Sequence, residues 1–259
     1  MRAGATARLE STLPLLLFCR ATRGGEFNTS SFDDFIKRNR GGFHHGVQTM
    51  SNAGGNRRPI KARSSRWAQQ AAAFLARTSV SPNQISVASI FFSAIGTALL
   101  VGYPVPMGLI TCAVAIQARL LCNLLDGMVA IEGGKQSPLG QLYNEFPDRI
   151  ADSILIVGLG YAIHLPFLGW LGALAAVSTA YVRVFGGSLG LPQDFRGPMA
   201  KPHRMATMTG GCILGAIEQA SIGTQYALIV TSFVIALGSL VTCVTRSRAI
   251  AVQLHRNSL

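Results

Sequence analysis

The sequence is short of charged residues, and acidic residues are the scarcest of them. Charged side chains make up 13% of the 259 residues, whereas a typical globular chain has roughly 25%. Only 11 residues are Asp or Glu, against 23 Lys or Arg, which gives a formal net charge of +12. With 49% hydrophobic residues and a mean hydropathy of +0.36, this composition excludes an ordinary soluble domain.

Cysteine motifs are also lacking. The five cysteines show no C-x-x-C pair and no other metal-binding spacing, so the sequence supports neither a zinc site nor a disulfide framework. Four of them fall in apolar segments, where a cysteine usually serves as a small hydrophobic side chain.

The basic residues are placed in a way that excludes nucleic acid as the partner. They cluster before, between and after long apolar segments rather than across one soluble domain. This distribution is typical of a protein that contacts an anionic membrane surface. We therefore expect membrane lipids, and no nucleic acid, among the partners.

The N-terminal part is expected to lie outside the membrane domain. Residues 1–57 are rich in Gly, Arg, Asn and Ser without sustained periodicity, which predicts a disordered or dispensable tail. An organelle transit peptide and a true start at Met50 are the alternatives. Residues 58–80 are basic and amphipathic, which predicts a helix lying in the interface with Trp67 at headgroup depth.

Six apolar segments follow, and we expect an all-α, polytopic membrane protein with six transmembrane helices. The membrane domain should cover 81–248 and a cytoplasmic tail 249–259, with the apolar segments at 82–102, 106–131, 139–163, 166–189, 203–221 and 224–246. Three short connections, at 103–105, 222–223 and around His164, contain no Lys or Arg. The positive-inside rule then places both termini in the cytoplasm, in a cell (inner) membrane.

Acidic and amide side chains interrupt this apolar pattern between Asn123 and Asp152. Asn123, Asp126, Gly127 and Ala130 share one helix face, and a second helix repeats polar or small residues every fourth position, at Gly140, Asn144, Asp148 and Asp152. A tight connection through Gly133, Gly134 and Pro138 would lay the two helices antiparallel and let the stripes meet. Carboxylates in apolar spans are costly and usually functional. Oxygen ligands from two helices suit Mg²⁺ or Mn²⁺, and the candidate ligands are Asn123, Asp126, Asn144, Asp148 and Asp152.

A second polar group is basic. Arg183 lies within an apolar helix, where an unpaired cation is expensive. Lys201, His203 and Arg204 follow a polar loop at the start of a helix, whose free N–H groups also favour anions. We expect these four side chains to hold phosphate groups.

The acidic stretch resembles the signature of the CDP-alcohol phosphatidyltransferases, Asp-x2-Asp-Gly-x2-Ala-Arg-x8-Gly-x3-Asp-x3-Asp. Asp126, Gly127, Ala130, Gly140 and Asp148 match it in type and spacing. Three positions depart from it, because Asn123 and Asn144 stand where the signature has acids and Ile131 stands where it has arginine. The resemblance extends over roughly 80–248 and includes the Tyr-Val-Arg element ending at Arg183 and the later basic cluster.

The resemblance implies a chemistry and roles for these residues. An alcohol hydroxyl would attack the β-phosphate of a CDP-linked lipid donor such as CDP-diacylglycerol, in phospholipid biosynthesis, and CMP would leave. Asp148 would be the general base. The metal ion would be held by Asp126 with Asn123 and by Asn144 with Asp148. Room for the nucleotide would be left by Gly127, Ala130 and Gly140. The family's four carboxylates are reduced to two here, so Asp152 and Glu145 are candidates to compensate, and one metal ion or two stays open.

Two other functions fit the sequence. One is a catalytically silent membrane module that binds lipid, and the other is a transporter of small solutes, although no internal repeat supports it. The small alcohol acceptor cannot be identified from the sequence, and a homodimer also stays open.

Overall fold

The computed structural model describes residues 65–257. The predicted tail at 1–57 and most of the basic residues of the predicted interfacial helix lie outside the described residues. Within 65–257 the fold is all-α, as predicted, and no strand occurs. The described elements are seven helices: α1 Arg66–Ala76, α2 Pro82–Gly102, α3 Pro106–Glu132, α4 Gly140–Ala162, α5 Pro166–Ser188, α6 Lys201–Ser221 and α7 Tyr226–Asn257.

The helix starts follow local signals in the sequence. Proline stands in the first turn of α2, α3, α5 and α6, where its missing N–H would have had no partner. Ser81 forms a capping box, because its hydroxyl accepts from the Gln84 N–H at 3.3 Å while the Gln84 side chain accepts from the Ser81 N–H at 2.9 Å. Helices α2 to α6 therefore match the predicted apolar segments closely, and α7 continues beyond its segment to Asn257.

Four of the helices, α2, α3, α5 and α7, are long and apolar enough to cross a membrane. Among the described helices, α4 and α6 do not reach this level of hydropathy although both have more than 20 residues. Both carry charges within their length, Glu145, Asp148, Arg149 and Asp152 on α4 and Lys201, Arg204 and Glu218 on α6.

The helices from α2 to α7 pack in a closed ring. Starting from α2, the neighbours in order are α3, α6, α7, α5 and α4, which again packs on α2. Consecutive helices α3 and α4 touch each other over only a short stretch, because α2 packs against both. Helices α3 and α4 were predicted to pack on each other, but each packs mainly on α2. The polar stripes of α3 and α4 still come together, because long side chains reach from one helix to the other.

Close helix contacts depend on glycine at one corner of this ring. Gly160 of α4 and Gly169 of α5 face each other, and a Cβ built on Gly169 would lie 2.9 Å from the Cα of Gly160. No larger residue fits at either position without separating the helices. This α4–α5 contact supports the helix that carries Asp148 and Asp152.

Helix α1 packs on the end of α3 through a narrow face. Ala68 and Ala72 are fully buried in a cluster with Met128 and Val129. Trp67, at 53% exposure, and Phe74, at 69%, point away from this contact. The exposed aromatic side chains agree with the predicted interfacial position of this helix, which stays a prediction.

Candidate active site

Asp126 lies on α3 with both carboxylate oxygens hydrogen-bonded. Its side chain is buried, at 5% exposure. Ser86 on α2 donates its hydroxyl to Asp126 Oδ2 at 2.5 Å, and the backbone N–H of Gly127 donates to Oδ1 at 2.5 Å. Because a carboxylate has about four acceptor positions, Asp126 keeps capacity for a further partner. The residue is therefore an oriented oxygen ligand rather than a freely rotating one.

Asp148 on α4 is surrounded by donors from three helices. Asn123 of α3 donates its amide Nδ2 to Asp148 Oδ1 at 2.6 Å. Lys201 of α6 donates its ammonium group to Asp148 Oδ2. Two guanidinium groups stand slightly farther away, Arg119 Nη2 at 3.5 Å from Oδ1 and Arg149 Nη2 at 3.6 Å from Oδ2. These contacts bring the two predicted polar stripes together at Asp148.

Asp152 pairs with cations on both of its oxygens. It is 1% exposed and lies between two buried arginines, with Arg119 Nη2 on Oδ1 and Arg204 Nη2 on Oδ2 at 3.1 Å. Arg204 is itself 1% exposed and donates also to the Met199 carbonyl at 2.8 Å. The predicted roles of Asp152 as a metal ligand and of Arg204 as a phosphate contact stay predictions.

Arg183 is held at the end of α5 by a carboxylate and by the following loop. Its Nη2 donates to Glu145 Oε1 at 2.6 Å, and its Nη1 donates to Gln193 Oε1 at 3.0 Å. The guanidinium carbon lies 5.3 Å from the centre of the Phe195 ring, within cation–π range. The Glu145 side chain remains 40% exposed, so its contact with Arg183 is open to exchange with another anion.

The loop around Phe195 is fixed by its own ion pair. Arg196 donates through its backbone N–H and its guanidinium to Asp194. Burial raises the pKa of the Asp194 carboxyl, but the hydrogen bonds from Arg196 outweigh it and leave the pKa below its ordinary value. At neutral pH this pair is charged and keeps Phe195 against Arg183.

The remaining predicted residues differ in position. Gly127, Ala130 and Gly140 are half-buried, and a Cβ on Gly140 would meet only the Ser137 hydroxyl, at 3.7 Å, so space exists beside it. The Asn144 side chain is exposed, and no side-chain hydrogen bond joins it to Asp148. His203 is exposed and its Nδ1 lies 3.0 Å from the Pro198 carbonyl, so neither residue belongs to the buried group.

Three contributors to this group were not predicted as members from the sequence. Arg119 carries a charge inside an apolar helix, the same signal that identified Arg183, and could have been found by it. Glu145 was identified only as a compensating acid and not as the partner of Arg183. Ser86 gave no signal, because a serine in an apolar helix usually bonds its own backbone, as it also does here with the Pro82 carbonyl at 3.2 Å.

The assembled group can bind a dianionic or polyphosphate ligand and transfer a proton beside it. Its carboxylates at Asp126 and Asp148 are oriented by hydrogen bonds, and Lys201 and Arg183 supply cations that are not fully buried, at 23% and 12% side-chain exposure. In the part of the chain that the structure describes, no three or more His, Cys, Asp or Glu side chains gather at one point.

The chain is similar to known proteins over most of its length. The family model of CDP-alcohol phosphatidyltransferases matches residues 79–245. Phosphatidylinositol phosphate synthase of Streptomyces avermitilis is 27% identical over 68% of this chain and 74% of its own length. Archaetidylinositol phosphate synthase of Aeropyrum pernix is 34% identical over 54% of this chain and 70% of its own length.

A solved structure has the same fold. Phosphatidylinositol phosphate synthase of Mycobacterium tuberculosis with CDP-DAG bound aligns with a TM-score of 0.61, at 23% identity, over 72% of this chain and 94% of the other. Its complex with manganese and citrate aligns with a TM-score of 0.60, also at 23% identity, over 71% of this chain and 88% of the other. At this identity the likeness concerns the fold, whereas the family match covers most of this chain. The chain therefore belongs to the CDP-alcohol phosphatidyltransferase family.

Proposed function

We propose that this chain transfers a phosphatidyl group from CDP-diacylglycerol to a phosphorylated alcohol, with inositol phosphate as the acceptor to test first. The observation that carries the proposal is the meeting of Asp126, Asp148 and Lys201 in one buried group beside Arg183. This group offers oxygen ligands, a base and two partly accessible cations in one place. Two relatives are named phosphatidylinositol phosphate synthase and archaetidylinositol phosphate synthase, and both product names contain inositol phosphate, which supports this choice of acceptor.

The side chains present fit one hard divalent ion, Mg²⁺ or Mn²⁺. Asp126 and Asp148 supply carboxylate oxygens. Asn123 donates its amide nitrogen to Asp148, so its amide oxygen is available as a third ligand, which is neutral. The diphosphate of the donor would complete the coordination. When bound, the ion would neutralise the diphosphate and stabilise the departing CMP.

The protein's own residues account for the other parts of the reaction. The acceptor oxygen forms a bond to the β-phosphorus, the bond between that phosphorus and the bridging oxygen breaks, and CMP leaves with the bridging oxygen. The hydroxyl proton passes to a carboxylate oxygen of Asp148, which Asn123 and Lys201 orient. Lys201 and Arg183 hold the acceptor's phosphate, which would replace the Glu145 carboxylate on Arg183.

We expect six membrane crossings, including α4 and α6. Their charges pair with one another inside the ring of helices instead of facing lipid, and paired internal charges are tolerated in membrane helices. Single cysteines at Asn257 and His164, in a background without the native cysteines, should react with impermeant reagents from opposite sides of the membrane. Reaction of both from one side would contradict the six-helix arrangement and the cytoplasmic position of the site.

Replacement of Arg183 or Lys201 by alanine should weaken the use of the phosphorylated acceptor. Loss of one charge-assisted hydrogen bond removes about 1.5–3 kcal/mol, which corresponds to a roughly 10–100-fold higher KM for the acceptor. The measurement is CMP release as a function of acceptor concentration. Arg248→Ala is the matched control, because Arg248 is an exposed arginine on α7, outside this polar group. Unchanged acceptor kinetics in both variants would contradict a role in acceptor binding and would leave anchoring at the membrane surface as the role of these two cations.

The test of the proposed function is release of CMP by the purified chain from radiolabelled CDP-diacylglycerol. Inositol phosphate, glycerol phosphate, inositol and serine should be compared as acceptors with Mg²⁺ or Mn²⁺ present. Turnover that depends on a phosphorylated acceptor supports the proposal. Turnover with only an unphosphorylated alcohol would contradict the acceptor, and saturable donor binding without turnover would identify a lipid-binding module.

A further inference from the structure

The polar group around Asp148 contains more positive than negative side chains. Four carboxylates lie among five cations, namely Asp126, Glu145, Asp148 and Asp152 with Arg119, Arg149, Arg183, Lys201 and Arg204. Hard divalent ions need an excess of anionic oxygen around them. One such ion can be balanced by the diphosphate of a bound donor, whereas a second ion would add two more charges to a group that is already positive.

Arg119 is the cation that most restricts the site. It lies on α3 one turn before Asn123, on the face that carries Asp126, and it is fully buried. Its Nη2 contacts the Asp148 carbonyl at 3.3 Å and the Asp152 carboxylate, and its Nη1 lies 2.8 Å from the Met205 sulfur. The Nε has no hydrogen-bond partner. Because Arg119 and Asn123 both approach Asp148 Oδ1, the positive charge of Arg119 makes the neighbourhood of Asn123 unfavourable for a dication.

Lys201 completes this arrangement from α6. Its ammonium group is held on Asp148 Oδ2, the oxygen opposite the one that Asn123 and Arg119 approach. Unlike Arg119, the Lys201 side chain is partly exposed, at 23%, so it can reach a bound phosphate. Phosphoryl-transfer sites neutralise developing charge either with two metal ions or with one ion and fixed cations.

We propose that Lys201, held in place by the Arg119–Asp148–Asp152 network, takes the charge-neutralising role of a second metal ion, so that the site binds a single divalent ion. Lys201 would contact the substrate, and Arg119 would be a positioning residue. The inference rests on the proposed function for the identity of the donor. It accounts for the presence of neutral Asn123 beside Asp126, because a further carboxylate is not needed where a cation is built into the protein.

The test counts Mn²⁺ ions bound to the full chain in detergent, by electron paramagnetic resonance, with CDP-diacylglycerol present and no acceptor. The wild type should bind one Mn²⁺ per chain and show the signal of an isolated ion. The double variant Asn123→Asp/Lys201→Met gains a carboxylate and loses the competing cation, and it should bind two Mn²⁺ with a spin-coupled signal. Two ions in the wild type, or one ion in the double variant, would overturn the inference.

Single variants separate an electrostatic role from a structural one. Lys201→Met and Arg119→Gln should tighten Mn²⁺ binding by about tenfold, because each removes a positive charge close to the ion. Arg119→Lys should leave the affinity near that of the wild type. A merely structural role predicts weaker binding in all three, and that result would overturn the inference. Arg248→Met is the control, since Arg248 is an exposed residue near the end of α7.

Failure of this inference is distinguishable from failure of the proposed function. CMP release from the same preparation, after acceptor is added, reports the reaction independently of the number of ions. Full turnover with two bound Mn²⁺ in the wild type would contradict the role of Lys201 in place of a second ion but would support the transferase function. One bound Mn²⁺ without turnover on any acceptor would support the single-ion site but contradict the transferase function.

Discussion

Asp126→Asn should abolish binding of the divalent ion and of the CDP-linked donor together. The carboxylate is buried and fixed by Ser86 and by the Gly127 N–H, so its orientation is set before any ligand arrives. Asparagine has the same shape but no charge. Its amide nitrogen is a donor only, so the side chain can accept just one of the two hydrogen bonds that Asp126 receives from Ser86 and Gly127. Loss of even an outer-shell partner costs about 10–100-fold in metal affinity, and loss of a ligand should cost at least the upper value.

The measurement is Mn²⁺ affinity with and without CDP-diacylglycerol, together with CMP release. In Asp126→Asn the donor should bind no better when Mn²⁺ is added, because the diphosphate is held through the ion. Ser86→Ala is the matched comparison, since it keeps the carboxylate and removes only its hydrogen bond; its loss should stay within about 10–100-fold. Glu132→Gln, at an exposed position at the end of α3, is the surface control. Metal-dependent donor binding of normal strength in Asp126→Asn would remove Asp126 from the ion site.

The helices were predictable because their signals are local. Proline in the first turns, the Ser81 capping box and the lengths of the apolar segments are all properties of neighbouring residues. The two polar stripes were predictable for the same reason, since the spacing of Asn123 and Asp126, and of Asp148 and Asp152, follows the helical repeat. The family signature then identified which of these stripes carries the chemistry.

The contacts within the site were less predictable, because they depend on the arrangement of the ring. From their spacing alone, Asn144, Asp148 and Asp152 are equally good candidates for the site. In the structure Asn144 is exposed, Asp148 accepts a hydrogen bond from Asn123, and Asp152 lies between two arginines. Their different depths along α4 separate them. Helical periodicity identifies a face but not the point along that face at which another helix crosses it.

Hydropathy has a related limitation for α4 and α6. A sliding window treats every charge as if it faced lipid, whereas Arg119, Asp152 and Arg204 satisfy one another inside the ring. Helix α3 is apolar enough to cross a membrane despite Arg119, whereas α4 and α6, which carry Asp152 and Arg204 among further charges, are not. Only the three-dimensional fold shows which charged residues are paired inside the ring and which would face lipid.

Asp148 is the residue on which the reaction itself should depend most. Asp148→Asn keeps the size of the side chain but can no longer accept the hydroxyl proton. If the residue is the general base, turnover should fall by about 10²–10⁴-fold, while donor affinity should fall less than in Asp126→Asn. The measurement is the maximal rate of CMP release at saturating metal ion and acceptor, with donor affinity determined separately.

The substitution also removes the counter-charge of Lys201, and the experiment has to separate this effect from loss of the base. Removal of one partner of a buried ion pair destabilises a protein by about 3–5 kcal/mol, and the cost should be smaller here because Lys201 is 23% exposed. Thermal unfolding of the purified variant should therefore be measured beside its kinetics. The double variant Asp148→Asn/Lys201→Met removes both charges of the pair and should recover stability without recovering turnover. Glu145→Gln, which changes a carboxylate that is 40% exposed, tests the alternative base on the same helix, and Glu132→Gln, at an exposed position at the end of α3, is the control for charge. A wild-type maximal rate in Asp148→Asn would exclude Asp148 as the base and transfer that role to Glu145, because Asp152 is only 1% exposed.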